Sequence, residues 1–344
     1  MLQLDRRGWI AGMSALLAAA KAPAAAPAPL VKPPHLRAGD IVGLIEPAGF
    51  TDDAFDLDLV KETIVAMGLK PKAAPHLAGR YGYLAGTDAD RAADVNAMFA
   101  DPQVRAVFAV RGGWGCARIL PRLDFAMIRK NPKLLIGFSD ITALHLAFAA
   151  KAGFTTIHGP NAASSWGAFS WDAFRAVAFD AATPTFATPV GQEDRLAQRS
   201  GRIRTFRPGV ARGRLLGGNL TVLAALMGTP WLPDFTGAIL FIEDIGEQPY
   251  RIDRMLTQLS LAGVLGKLAG VAFGQCTDCG PGGTSYGGFT LLEVLQQHLE
   301  PLGIPAFQGG QFGHVANQYS LPLGVMAEMD AEAGTIRLLE AAVS

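Results

Sequence analysis

From Gly39 onward, short apolar runs alternate with longer stretches whose apolar residues recur at helical spacing. Asp40-Ile41-Val42-Gly43-Leu44-Ile45 reads as a strand, turned by Glu46-Pro47-Ala48-Gly49. Phe55 to Met67 follows as an amphipathic helix, with Leu57, Val60, Ile64 and Val65 at helical spacing. Thr87-Asp88-Ala89-Asp90 has a capping-box layout, and Val95, Met98 and Phe99 fall on one face of the helix it opens. Val104 to Val110 and Lys133 to Phe138 are further strands, and Ile141 to Ala150 a further helix. Strands alternating with helices imply βαβ units and a parallel sheet, whose ligands sit at the carboxyl ends of the strands. The fold class expected is therefore α/β.

A second region of the same kind starts near Gly213 and continues through strands near Ile239, Val271 and Ile336. Between the two, 166–207 is polar and poorly periodic, and is expected to be a linker. The expected organisation is a leader and Ala/Pro linker over 1–30, a first domain over 35–165, that linker, and a second domain over 208–344. No internal repeat is present.

Composition narrows the function. Half of the 344 residues are hydrophobic and 17% are charged, which excludes disorder as the main state. Thirty basic residues balance thirty acidic ones, so the broad electrostatic footprint of a nucleic-acid partner is missing. No apolar run approaches the ~18 residues that a spanning helix needs. Near the start, Arg6-Arg7 precede an apolar stretch from Ile10 to Ala20, and Ala22-Pro23-Ala24 offers a small-x-small cleavage site. This is the layout of a twin-arginine signal peptide, and the expected location is the periplasm without stable membrane insertion. Cys276-Thr277-Asp278-Cys279 is a CxxC followed by Gly280-Pro281-Gly282-Gly283, which reads as a loop and points to a loop disulfide or an incidental pair. No second CxxC or nearby histidine pair completes a zinc set, so no metal or other cofactor is expected.

Gly137-Phe138-Ser139-Asp140 joins a strand to a helix through a sharp turn. Such a turn lifts the serine hydroxyl above the sheet and aims helix N-terminal N–H groups at whatever it attacks. Ser139 as a plain helix N-cap is the alternative. Arg111-Gly112-Gly113-Trp114-Gly115 follows the preceding strand and exposes backbone N–H groups, suited to an oxyanion or a phosphate. The Gly-x-Gly-x-x-Gly spacing of a dinucleotide site is absent. A serine nucleophile needs a base and an orienting acid. His35 and His76 lie in proline-flanked turns, His298 on an exposed helix, and His145 within the helix after Ser139, as a core residue. His158, at a strand end, and His314, in a glycine-rich loop, remain as bases, while Glu243 and Asp244 end an apolar strand as acids. Spacing does not choose among them.

Several motifs carry a resemblance. Gly82-Tyr83-Leu84-Ala85-Gly86-Thr87 with Arg91, Arg111-Gly112-Gly113-Trp114-Gly115, Gly137-Phe138-Ser139-Asp140 and His158-Gly159-Pro160 are followed by Leu216-Gly217-Gly218-Asn219-Leu220, Gly228-Thr229-Pro230, Phe241-Ile242-Glu243-Asp244, Tyr250-Arg251-Ile252-Asp253-Arg254 and Gly313-His314. Together, from about Arg37 to Leu339, they resemble the LD-carboxypeptidase family of serine peptidases. The resemblance implies a flavodoxin-like N-terminal domain bearing the serine and a separate, smaller α/β C-terminal domain bearing the other two residues of a Ser139–Glu243–His314 triad. It also implies hydrolysis of the bond from an L-centre to D-Ala in murein tetrapeptides, with release of D-alanine, no metal, and a homodimer. Trp114 departs from the family, which often has Tyr there.

In physical terms the N–H groups of Gly113 and Asp140, with Gly112 beside them, are the expected oxyanion donors, and Arg111 is a candidate for the substrate carboxylate. Glu247 lies just before a helix and is expected to favour that helix electrostatically rather than to orient His314. Two other functions stay open. One is the same triad acting on another amide, as in self-immunity peptidases that cleave peptidyl-nucleotide antibiotics. Trp166 alone does not establish the nucleobase clamp this would need. The other is a non-catalytic muropeptide-binding protein.

Overall fold

The computed structural model describes residues 30–191, 194, 196–198, 201–280 and 288–344. The paired arginines, the apolar stretch and the cleavage site expected near the start lie outside the described residues, as does the glycine run after Gly280.

The strands β1 (Ile41–Ile45), β2 (Lys70–Ala73), β3 (Val104–Ala109), β4 (Leu134–Gly137) and β5 (Thr156–His158) pair in parallel, in the spatial order β2-β1-β3-β4-β5. This is the flavodoxin-like order, and its topological switch lies between β1 and β3. The parallel strands are buried on both faces, and side-chain alternation sorts them into two layers. Val107 and Leu135 face the layer that holds Val95, Met98 and Phe99 of the Asp88–Ala100 helix. Ala106, Phe108, Leu134 and Ile136 face the opposite layer, with Val60 and Ile64 of the Ala54–Ala66 helix. Both helices start at side-chain caps, of which the one at Thr87 is expected from the sequence. Asp53 accepts from the N–H of Phe55, and Thr87 from that of Asp90.

The second unit adds β6 (Thr185–Ala187), β7 (Arg204–Arg207), β8 (Val210–Asn219), β9 (Ile239–Ile245), β10 (Gly270–Thr277), β11 (Ala306–Gln308), β12 (Leu321–Leu323), β13 (Met326–Asp330) and β14 (Thr335–Leu338). All but β12 form an eight-stranded mixed sheet, β6-β14-β13-β8-β9-β10-β11-β7, whose parallel centre is β8-β9-β10-β11. The exception, β12, crosses over and pairs antiparallel with β5 as an edge strand of the first sheet. Pro322 is tolerated there because an edge strand can spare a ladder donor.

Neither core layer stops at the boundary between the units. Leu216, Leu240, Ile242 and Phe273 continue the first layer, and Leu215, Phe241, Phe307 and Leu321 the second. The end of β8 docks on the start of the Thr142–Lys151 helix, where the Asn219 N–H donates to Thr142 Oγ1 at 2.9 Å. The two units are thereby fixed to each other within a few residues of Ser139.

Segment 166–207, expected to be poorly periodic, is not irregular throughout. It carries the Ala168–Ala178 helix, whose Ser170, Phe174, Val177 and Ala178 are buried, and the edge strands β6 and β7. The helix lacks a side-chain cap at Gly167 and is rich in aromatic residues, two features that mute its signal in sequence.

Candidate active site

The parallel strands of the first sheet end in loops on one edge, and the site grows from those after β1, β3, β4 and β5. After β4 the chain passes through Ser139 at φ 65, a left-handed conformation uncommon for a residue with a side chain. A 3-10 turn, Ser139–Ile141, and then the Thr142–Lys151 helix follow. Phe138 N donates to Asn161 Oδ1 at 3.1 Å, which pins the turn to the loop after β5. Ser139 makes no capping bond at this terminus, so the helix-cap alternative does not hold. Its hydroxyl instead lies 3.0 Å from His314 Nε2.

His314 comes from the loop between β11 and β12, and its Nδ1 lies 2.8 Å from Glu243 Oε2. Glu243 lies near the carboxyl end of β9 and is fully buried. Gly313 makes the approach possible. Its φ is 106, and a Cβ there would stand 2.8 Å from Glu243 Oε2. Phe138 packs on the His314 ring, with centroids 4.9 Å apart. Serine, imidazole and carboxylate therefore form one hydrogen-bonded chain drawn from both units, and the side chain of His314 stays 17% exposed, open to a ligand.

The loop after β3 lies against the serine. A Cβ on Gly112 would stand 2.8 Å from Ser139 Cβ and 3.4 Å from the Asp140 nitrogen, so only glycine lets the two loops meet. Gly113 follows at φ 119. Its N–H and that of Asp140 thus belong to two loops in contact beside the hydroxyl. The Asp140 side chain has another task. It is buried, its Oδ2 accepts from the Cys116 N–H at 2.7 Å, and burial raises its pKa above the usual carboxylate range. Arg91, also buried, donates from Nη1 to the carbonyls of Gly115 (2.9 Å) and Pro47, bracing the loops after β3 and β1 on either side of the topological switch.

Arg111 is exposed and donates to the Phe50 carbonyl at 2.8 Å. It lines a cleft of about 600 Å³, together with Thr51, Val110, Phe138, Asn161 and Ser164. Trp114 is 44% exposed on the same loop. The cleft abuts the serine turn through Phe138.

The remaining candidates separate by burial. His158 is fully buried, with its ring against Phe138 and Phe241, and burial holds it well below the ordinary imidazole range. It packs behind the site and does not reach Ser139. His145 bonds through Nε2 to the Gly137 carbonyl at 2.8 Å, and burial pulls its pKa to about 4. Asp244 points away from Glu243, as strand alternation requires. Its oxygens accept from Asn219 Nδ2, the Ile245 N–H, and the N–H and hydroxyl of Thr221, so it braces the first turn of the Leu220–Ala225 helix and its N-cap Asn219. Burial pushes it up to about 6. Glu247 stands ahead of the Pro249–Leu261 helix, 3.7 Å from Arg251 and within 3.4 Å of the Thr221 hydroxyl.

One further ionisable residue stands in the turn after β1. Glu46, at the carboxyl end of β1, is 3% exposed and accepts from the Thr51 hydroxyl, while its Oε2 has no partner among the described residues. Burial pushes its pKa up to about 7, against the opposing effects of the Thr51 bond and the Arg111 charge. The signal was present, since an acidic residue closing an apolar strand is the same pattern that singled out Glu243. Cys276 and Cys279 form a disulfide, and Cys116 is a buried free thiol.

Comparison with known proteins identifies the family. Residues 42–159 match the LD-carboxypeptidase N-terminal domain, and residues 212–329 the C-terminal domain. The chain is 37% identical over 315 residues to a probable murein peptide carboxypeptidase of Bacillus subtilis, covering 91% of this chain and 95% of that relative. It is 40% identical to a putative carboxypeptidase of Streptomyces coelicolor (90% and 96% covered), and 31% identical to the murein tetrapeptide carboxypeptidase of Pseudomonas aeruginosa (84% and 92%). Among solved structures, the microcin C7 self-immunity protein in complex with aspartyl sulfamoyl adenosine superposes with a TM-score of 0.81. The identity is 25%, over 91% of this chain and 100% of that one.

Proposed function

The chain belongs to the LD-carboxypeptidase family, and on that premise we propose that it is a serine carboxypeptidase acting on murein tetrapeptides. It hydrolyses the bond between an L-configured centre and the terminal D-alanine. The observation that carries this is the hydrogen-bonded chain from Ser139 Oγ through His314 to Glu243, at 3.0 and 2.8 Å.

His314 Nε2 takes the Ser139 proton as the hydroxyl attacks the carbonyl carbon, and Glu243 fixes the tautomer and stabilises the imidazolium that forms. The N–H groups of Gly113 and Asp140 receive the negative charge on the tetrahedral oxygen, and one such donor contributes about 2.7–4 kcal/mol of transition-state stabilisation. His314 then returns the proton to the departing amine of D-alanine. Water enters along the same path, gives its proton to His314, and attacks the acyl carbonyl. Collapse of the second tetrahedral adduct frees Ser139 and the shortened peptide. Arg111, at the mouth of the cleft, pairs with the D-alanine carboxylate.

A peptidyl-nucleotide substrate is the second reading, favoured by the likeness to the self-immunity protein. Trp166, the aromatic residue considered as a base clamp, is engaged elsewhere. It packs on Phe108 and Phe174 with centroids at 6.3 and 5.2 Å, and its Nε1 donates to the Asn161 carbonyl. The names of the relatives at 37% and 31% identity also favour the murein peptide. A binding protein without catalysis would have no use for the aligned triad. From Arg6-Arg7 and the apolar stretch after them we further propose export by the twin-arginine route to the periplasm, and, from the family resemblance, a homodimer.

Mass spectrometry of a purified murein tetrapeptide after incubation with the protein tests the assignment. The tripeptide and free D-alanine are the expected products. An untouched tetrapeptide beside a cleaved peptidyl-nucleotide would favour the second reading.

A further inference from the structure

The loop that carries His314 is gripped by the end of β10. Over its first half β10 follows β9 in regular register, Gly270 opposite Ile239 through Phe273 opposite Ile242. The register then shifts before Cys276 meets Asp244 and Thr277 meets Ile245. An irregularity of this kind re-aims the side chains that follow it. Gln275 N donates to the Phe312 carbonyl at 3.1 Å, and Gln275 Nε2 to the Gly309 carbonyl at 3.1 Å. Thr277 reaches the histidine itself, its hydroxyl donating to the His314 backbone carbonyl at 2.7 Å.

Thr277 is held in turn. Its own carbonyl accepts from the Gly246 N–H at 2.8 Å, which ties it to the chain just after β9. Around it, the Cys276–Cys279 disulfide closes a tight turn, with the Cys279 N–H 3.4 Å from the Cys276 carbonyl. Asp278 occupies the turn at φ 57, a conformation that residues other than glycine seldom adopt without support. The covalent link joins Cys276 to Cys279 across Thr277 and this strained position. It therefore restrains the turn from which the Thr277 hydroxyl is aimed.

We propose that Thr277 is a positioning residue for His314, and that the Cys276–Cys279 disulfide holds it in place, so that the oxidised turn is the form fully competent for turnover. This rests on the assignment of His314 as the base. Reduction by a dithiol reverses the restraint. A thiolate of the reductant attacks one sulfur to give a mixed disulfide, and its second thiol displaces the remaining protein sulfur. The reductant leaves as a cyclic disulfide, and Cys276 and Cys279 become thiols, having gained two electrons and two protons.

The test measures kcat and KM for D-alanine release with the full chain, its variants, and dithiothreitol. Thr277→Val keeps the shape and removes the donor. Displacements of about 1 Å cost up to ~100-fold, so a kcat about tenfold lower with KM within about twofold is expected. Thr277→Ser restores the donor and is expected within about threefold of the original rate. Dithiothreitol, or the double variant Cys276→Ser/Cys279→Ser, lowers kcat in the same direction, with circular dichroism reporting that each protein stays folded. On the Thr277→Val background, reduction adds less than about twofold, because both changes act through one contact. An undiminished kcat in Thr277→Val, a change in KM alone, or a full further loss on reducing that variant would each overturn the proposal. His314→Ala separates this from the underlying assignment. If that variant turns over, the base assignment falls and takes the proposal with it. If it is dead while Thr277→Val is fully active, only the proposal falls.

Discussion

Replacing Glu46 with Gln exchanges a pH-dependent cost for a constant one. In the folded chain the Glu46 carboxyl is held at about 7, against an ordinary value of 4.5, because ionising it means charging a nearly water-free site. A folded-state pKa raised above the unfolded one means that the native state binds the proton more tightly. Its contribution to stability is complete below about pH 4.5 and is lost as pH rises through about 7. The shift corresponds to about 3 kcal/mol across that window, at 1.36 kcal/mol per pK unit. Gln keeps an oxygen that can accept from the Thr51 hydroxyl and carries no charge to desolvate. Urea unfolding of both proteins at pH 5 and pH 8 isolates the effect, since every other titrating group cancels in the difference. The variant should be no more stable than the parent at pH 5. At pH 8 it should gain on the parent by up to about 3 kcal/mol. A difference that is the same at both pH values, or that moves the other way, would show that Glu46 does not titrate in this window.

Other perturbations probe the site and the address. Glu243→Gln should lower kcat by orders of magnitude with little change in melting temperature. Glu247→Gln, at a side chain that meets Thr221 and Arg251, should leave turnover within about tenfold, or 1.4 kcal/mol of barrier, when both are assayed on one tetrapeptide; the reverse pattern would make Glu247 the acid. Gly112→Ala places a methyl 2.8 Å from Ser139 Cβ, and a fall in kcat of about 100-fold or more is expected, whereas unchanged kinetics would mean that the two loops can part freely. Changing Arg6 and Arg7 together to Lys should leave unprocessed protein in the cytoplasm, measured by cell fractionation, and normal periplasmic recovery would argue against the twin-arginine route.

Much of the nucleophile side of the site is legible in the sequence, because local chemistry encodes it. The apolar runs of β1, β3 and β4 are short and bounded by turn residues, and the helix cap at Thr87 stands where the pattern changes period. The serine turn is visible for the same reason, a strand and a helix meeting with no room for a loop. What the sequence conceals is non-local. Nothing in Leu321-Pro322-Leu323 announces a strand that leaves one sheet for another, since pairing with β5 lies far away along the chain and a proline argues against it. His158 and His314 look alike as strand-end and loop histidines. Burial among Phe138 and Phe241 separates them, and burial is a property of the assembled core. Glu46 escapes for the converse reason. It stands in a Pro/Gly turn, where an exposed carboxylate would be unremarked, and only the packing of the loops around the β1–β3 switch hides it from water.

The nucleophile is the claim on which the rest depends, and Ser139→Ala tests it with least ambiguity. The hydroxyl sits at a turn and, among the described residues, bonds to His314 alone, so its removal should leave the melting temperature close to that of the parent. D-alanine release from the tetrapeptide, followed by mass spectrometry under matched conditions, should fall to no more than a few per cent of the parent rate. A folded Ser139→Ala protein that still releases D-alanine at a substantial fraction of the parent rate would contradict the serine mechanism and the triad built on it.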